Sequence, residues 1–186
     1  MGSPKALLAY RGTTFLEWLA ELFAAAELEP LLVVLGHEHE RIERAVKLPP
    51  SARVLVNENY RLGQLSSLQV AVRYLGGAEA GGLLVAPVDH PCLSREVLQK
   101  LLAAFAASEP DIVIPTFNGR RGHPVIFSAR LFPELLEAPL DEGARVVVHR
   151  HAVREVPVPD EGVLADIDDP ALYQRWIKES DADARG

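Results

Sequence analysis

The sequence predicts one three-layer α/β domain, a mainly parallel sheet with helices on both faces. Three observations predict it. Apolar runs of strand length alternate with amphipathic helical stretches along the chain, the pattern of βαβ units. Runs such as Leu31-Leu-Val-Val-Leu35 and Leu83-Leu-Val-Ala86 are apolar at consecutive positions, as strands covered on both faces are. At 186 residues, 48% of them hydrophobic, the chain suits a single domain with a real core, and no repeat or long polar linker divides it.

Taken in order, residues 13–28 read as a helix with a threonine cap. Residues 30–36 are a buried strand, followed by a charged helix at 38–47 and a second strand at 53–57. A loop at 58–65 leads to a helix from Ser66 to about Leu75, then to a strand that runs toward Asp89. Ser94 caps a helix reaching about Ala107. Residues 111–115 and 124–127 are strands, and the Asn118-Gly119 pair between them signals a turn. Helices at 131–136 and 141–150, a strand at 153–158 and a closing helix at 169–179 complete the domain, assigned to 1–180. The polar tail 181–186 is expected to fray.

A formal charge of −7 argues against general nucleic-acid binding, though not against small anions met by a local basic cluster. No apolar run reaches the length of a membrane span, and the N-terminus lacks the pattern of a signal peptide. The one cysteine, Cys92, cannot form an internal disulfide. A cytoplasmic protein with no membrane or nucleic-acid partner is expected.

Chemistry concentrates in five stretches. Gly82-Leu-Leu-Val-Ala-Pro-Val-Asp-His-Pro91 carries a strand to a carboxylate. In open α/β sheets ligands lie beyond the carboxyl ends of strands, so Asp89 is a candidate hard-metal ligand; the competing reading is a turn or helix-capping aspartate. Met-Gly-Ser-Pro leads to Lys5, a small-residue loop that can bring N–H groups and an ammonium to a phosphate. The loop from Asn57 through Gly63 to Ser66 and Ser67 places two hydroxyls at a helix start, for a ligand or simply as caps. Asn118-Gly-Arg-Arg-Gly-His-Pro124 sets arginines and a histidine in a hairpin, where they could meet phosphates or form a solvated turn. In Asp166-Ile-Asp168-Asp169-Pro170, Asp166 and Asp168 would share one face of an extended segment, and Asp169 would cap the last helix. Carboxylates there that converge with Asp89 suggest a Mg²⁺ site.

The chain as a whole resembles the nucleotidyltransferases similar to the molybdenum cofactor cytidylyltransferase. The resemblance is carried, in order, by Met1-Gly-x-Pro-Lys5, Gly36-His37, Asn57-x-x-Tyr60, Gly63-Gln-Leu-Ser-Ser-Leu68, Asp89-His-Pro91, Arg121-Gly-His-Pro124, Glu142-Gly-Ala-Arg145 and Asp166-Ile-Asp-x-Pro170. The Ser-Ser-Leu and Gly-His-Pro forms look like the cytidylyltransferase branch rather than the related guanylyltransferases. Asp169 stands where the family has a threonine, and His90 occupies a variable position. In the family the Met-Gly-x-Pro-Lys segment follows a strand and a glycine-rich loop, Leu-Ala-Ala-Gly-x-Ser-x-Arg. The sequence here starts at that Met, so a Rossmann-like nucleotidyltransferase fold missing its first strand and that loop is expected, with catalysis compromised accordingly.

The resemblance implies transfer of CMP from CTP to the terminal phosphate of molybdopterin, with release of pyrophosphate. It implies Mg²⁺ held by Asp89 and Asp168, and Lys5 and Asp89 in the catalytic role, Lys5 against charge developing on the α-phosphate. Asn57, Gly63, Ser66 and Ser67 would lie near the nucleotide or acceptor phosphate, and Arg121, Gly122, His123 and Pro124 on the acceptor side. Two alternatives stay open. One is a nucleotidyltransferase for another phosphorylated acceptor; the other is a non-catalytic, cofactor-binding maturation partner of a molybdenum hydroxylase.

Overall fold

The computed structural model describes residues 3–76 and 80–183. The chain opens with a hairpin of β1 (Ala9–Tyr10) and β2 (Thr13–Thr14), turned by Arg11 and Gly12, both at positive φ. Thr14 then starts α1 (Phe15–Ala24) with a capping box. Its hydroxyl accepts from the Glu17 amide at 3.2 Å, and the Glu17 carboxylate accepts from the Thr14 amide at 3.0 Å. The threonine cap is as expected, but the helix is shorter than 13–28 because residues 13–14 belong to the hairpin.

β3 (Leu31–Leu35), α2 (His39–Ala45) and β4 (Ala52–Val56) form a right-sized crossover, and β3 and β4 pair in parallel from Leu31↔Ala52 to Leu35↔Val56. Next come α3 (Gln64–Leu75), β5 (Gly82–Val85) and α4 (Arg95–Ser108), the last capped by the Ser94 hydroxyl, which accepts from Val97 N. β6 (Ile112–Phe117) turns at Asn118 and Gly119, both at positive φ, into β7 (Arg120–Arg121), and β8 (Val125–Ser128) follows. α5 (Phe132–Glu137), α6 (Arg145–Arg150), β9 (Val153–Pro157) and α7 (Pro170–Asp183) end the fold. The Asp169 carboxylate accepts from the amides of Ala171 and Leu172, capping α7 as expected with Pro170 in its first turn. The helix continues beyond 179 through Asp183; of the expected tail, 184–186 lie outside the described residues. No helix among the described residues is long and apolar enough to cross a membrane.

The α/β class holds, but the sheet is mixed. β6 is its axis: β9 runs parallel along one side, and β8 and β7 pair antiparallel with it, with β5 antiparallel beyond β8. β8 returns without a crossover helix, which fixes its antiparallel direction. Side chains alternate cleanly across this sheet. Val113 and Ile126 face Leu98 and Leu101 of α4 and Leu19 and Phe23 of α1. Ile112, Ile114 and Phe127 face Leu68 and Val72 of α3, Leu135 of α5 and Val147 of α6. Helices thus cover both faces.

β3 and β4 stand apart as a two-stranded sheet. Between β3 and β5 lies a cavity of about 1060 Å³, walled by residues 31–36 and 82–89 and by apolar residues of α1 and α3. The residues of this slot converge on one end of the sheet, at Gly36-His37 after β3 and Asp89 after β5.

Candidate functional site

β5 ends at Val85, so Asp89 is not the last residue of a strand; it sits four residues on, in a turn closed by His90 N donating to Pro87 O at 3.1 Å. The second acidic segment is placed by β9 and the short helical turn Glu161–Leu164. The extended segment expected at 166–168 pairs with no strand, yet the expected facing forms. Ile167 is wholly buried while Asp166 and Asp168 point outward together, and Ile167 N donates to Asp89 O at 2.9 Å. That single backbone bond joins two segments 78 positions apart and brings their carboxylates to one place.

Lys5 ties them. Its ammonium donates to Asp89 at 3.1 Å and also to Asp168, so the two carboxylates lie within two hydrogen bonds of each other, as expected for this pair. Partial burial works against the Lys5 charge, but the bonds to Asp168 and Asp89 outweigh it and hold its pKa above the ordinary value. The same lysine holds Asp168 below the usual carboxylate range. At Asp166 the more distant Lys5 charge is outweighed: burial, then the charges of Asp89 and Asp168, push its pKa up. Beside it, His90 and His123 stack at 4.4 Å between ring centroids. Burial pushes both imidazoles toward the neutral form, His123 down to about 4 with the neighbouring His90 contributing. Asp89, His90 and Asp166 each offer a donor atom within 4.8 Å of the others. The metal-capable triplet therefore holds Asp166, one of the two carboxylates expected to converge with Asp89, rather than Asp168, the one named by the resemblance, and Lys5 pairs with Asp89 and Asp168.

The opposite wall of the cavity is the start of α3. Gly63 precedes the helix at φ +97°, a conformation that favours glycine, and the helix begins at Gln64 rather than Ser66. Asn57 is buried and fully used. Its amide donates to Ser66 at 2.8 Å and Ser67 at 2.9 Å, and its carbonyl oxygen accepts from Asn59 N at 2.9 Å. Ser66 turns back onto the carbonyls of Asn59 and Gly63. Ser66 and Asn57 thus brace the loop and do not line the cavity. Ser67 and Gly63 line the cavity, and the Ser67 hydroxyl, accepting from Asn57, keeps its proton to donate.

The hairpin residues divide. His123 lines the cavity. Arg121 does not: it lies on β7 with its guanidinium on Glu155 of β9 at 2.8 Å. Gly122 is explained by packing, since a Cβ there would lie 2.2 Å from the Val163 carbonyl oxygen, while its amide donates to Pro115 O. Pro124 follows His123 through a cis bond and starts β8 from there. On the cavity rim the sequence reading gave no role to Arg145, which has no ion-pair partner among the described residues, although the Glu142-Gly-Ala-Arg145 pattern pointed to that stretch.

Carboxylates, a lysine and two imidazoles thus meet at the carboxyl end of a sheet, faced by a hydroxyl, a helix start and an arginine, an arrangement that could hold a cation beside an anionic ligand. Comparison with known proteins places the chain as a whole. A profile of the MobA-like NTP transferase domain matches residues 1–156. Nicotine blue oxidoreductase of Paenarthrobacter nicotinovorans is 32% identical over 182 residues, 89% of this chain and 83% of that protein. A probable molybdenum cofactor guanylyltransferase of Bacillus cereus (strain Q1) is 31% identical over 121 residues, 64% of this chain; the match spans 57% of that relative's length. The manganese complex of Rv0371C from Mycobacterium tuberculosis H37Rv superposes with a TM-score of 0.81 at 30% identity, covering 94% of this chain and 91% of that one.

Proposed function

From the premise that this chain belongs to the MobA-like NTP transferase family, we propose that it moves a nucleoside monophosphate from a triphosphate to a molybdopterin-type phosphate, CTP being the donor. The observation that carries the reading is the meeting of four charged groups at one end of the cavity: Lys5 and Asp89 line it, and Asp166 and Asp168 lie beside them. The Ser66-Ser67-Leu68 and Gly122-His123-Pro124 forms support CTP, whereas the name of the Bacillus relative favours GTP.

The donor set Asp89, His90 and Asp166 fits a divalent ion, Mg²⁺ or the manganese named with the mycobacterial protein. Such an ion, when bound, neutralises the triphosphate and polarises the α-phosphorus. Lys5, shared between Asp89 and Asp168, stands where its ammonium could meet the α-phosphate oxygens. Ser67 donates its hydroxyl proton to a phosphate oxygen, held in place by Asn57. Arg145 faces the triphosphate or the acceptor phosphate from the far rim. The incoming phosphate oxygen forms a bond to the α-phosphorus as the bond to pyrophosphate breaks, so the protein acts by positioning and charge rather than as a nucleophile.

The test is transfer of α-labelled CTP or GTP to molybdopterin with pyrophosphate release, in wild type and Asp89→Asn. CTP is expected to turn over faster, and Asp89→Asn to lose at least about 10²-fold, the scale of one electrostatic donor. Faster GTP turnover would reverse the donor and leave the reaction. Absence of transfer with both would overturn the reading. The long match to nicotine blue oxidoreductase favours a second reading, two-electron reduction of a pigment of that kind by an external hydride donor, checked by following nicotine blue absorbance with the same protein and an added nicotinamide reductant.

A further inference from the structure

We propose that His90 is a metal ligand, and that with Asp89 and Asp166 it makes the site select a first-row transition ion, Mn²⁺ in the test below, over Mg²⁺. The three donor atoms lie within 4.8 Å of one another. Metal–ligand bonds of about 2.1 Å place two donors no more than ~4.3 Å apart, so side-chain rotation alone closes the set. His90 Nδ1 is out of solvent and has no hydrogen-bond partner among the described residues, which for a buried polar atom calls for an explanation.

The surrounding packing fixes the geometry without the metal. The His90 ring is held against His123, its backbone is closed in the turn on Pro87, and the Ile167–Asp89 bond fixes the spacing of the other two donors. Lys5 forms its ion pairs with Asp89 and Asp168; its charge reaches Asp166 and His90 only through space, with no direct pair to either among the described residues. Mg²⁺ keeps to oxygen ligands and water, whereas imidazole suits transition ions, so exchanging one oxygen donor for a ring nitrogen biases the choice. A carboxylate pair alone, as at Asp89 and Asp168, carries no such bias. His90 follows directly on Asp89 in sequence, so a single substitution there can retune the metal without touching the carboxylates.

The inference rests on reading this crevice as the metal-bearing site of a nucleotidyltransferase, but it is tested by metal binding in the absence of nucleotide. Titration calorimetry of the full chain with MnCl₂ and MgCl₂ is expected to show Mn²⁺ bound at least ~10-fold tighter. His90→Asn is expected to abolish that preference while leaving Mg²⁺ affinity within about 3-fold, and Asp166→Asn to weaken both ions. Electron spin-echo spectra of bound Mn²⁺ are expected to carry ¹⁴N modulation from a directly bound imidazole in the wild type and to lose it in His90→Asn. The spectrum keeps the test sound even where a variant folds poorly, because it is read first on the wild type. Bound Mn²⁺ without ¹⁴N modulation, an unchanged Mn²⁺ to Mg²⁺ ratio in folded His90→Asn, or failure of the wild type to bind Mn²⁺ would each overturn the inference. Nitrogen-coupled Mn²⁺ in a protein that transfers no nucleotide would uphold the inference and overturn the proposed reaction.

Discussion

The β6-centred sheet and the β3–β4 pair are built from equally apolar strands but held very differently. β6 is hydrogen-bonded on both sides, and from Ile112 to Thr116 every side chain is buried. β3 is bonded to β4 alone, its other edge faces the cavity, and the side chains of β4 are half-buried or exposed. The small cluster behind β3 (Ala6, Leu16, Val33, Leu35 and Ile42) is the less buried counterpart of the cores around β6. Strand-like sequence therefore does not by itself give strand-like stability; a second hydrogen-bonded neighbour does. The site straddles this divide. Asp89, Asp166, Asp168 and His123 come from the well-held half, whereas Lys5 arrives next to Ala6 of the weaker cluster, and its ion pairs join the two.

The largest test of this contrast is truncation of matched side chains. Leu98→Ala, wholly buried against β6, is expected to cost about 2–5 kcal/mol, while Val54→Ala on β4 is expected to cost less than about 1.5 kcal/mol. Urea denaturation compares them, and equal losses would break the contrast. Amide hydrogen exchange sharpens it without mutation. The amides of Leu31–Leu35 are expected to exchange at least ~10²-fold faster than those of Ile112–Thr116, and equal protection would mean that the slot is closed in solution.

Within the well-held half, Gly122→Ala sets a methyl against the Val163 carbonyl and is expected to cost about 1–3 kcal/mol or more. Gly119→Ala, with open space but φ +75°, is expected to cost only about 1 kcal/mol; thermal melts separate a packing demand from a turn demand. The smallest effect concerns His151 at the far end of α6. It bonds Glu134 at 2.5 Å and lies 3.5 Å from Asp111, and the Glu134 bond above all holds its pKa above the ordinary value. A raised folded-state value means that the stabilisation is complete below the unfolded value of about 6.5 and is lost as pH rises through the folded one. The melting-temperature gap between wild type and His151→Asn should thus shrink from about pH 6 to about pH 9, by a small amount because the groups are near solvent. A gap that widens would reverse the sign.

Much of this was legible locally. A threonine announced the cap of the first helix, Ser94 and Asp169 announced helix starts, and Asn118-Gly119 announced its turn, because each signal acts over three or four residues. The facing of Asp166 and Asp168 was legible too, since an extended backbone alternates whether or not it is paired. Helix and strand ends drifted where hairpin or glycine geometry took over, at Thr13 and Gly63.

The amino-acid sequence by itself thus determined the α/β class, the order of elements, the caps and which residue types could meet phosphate or metal. Those depend on periodicity and short-range hydrogen bonds, which travel with the chain. The tertiary structure alone decided that the sheet is mixed and split at β3. It also decided that Arg121 pairs with Glu155 away from the cavity, that Asn57 and Ser66 brace a loop, and that His90 and Asp166 stand beside Asp89 while Lys5 takes Asp168. These depend on which distant segments touch, such as Ile167 on Asp89, and a contact across 78 positions leaves no periodic trace in the residues that make it.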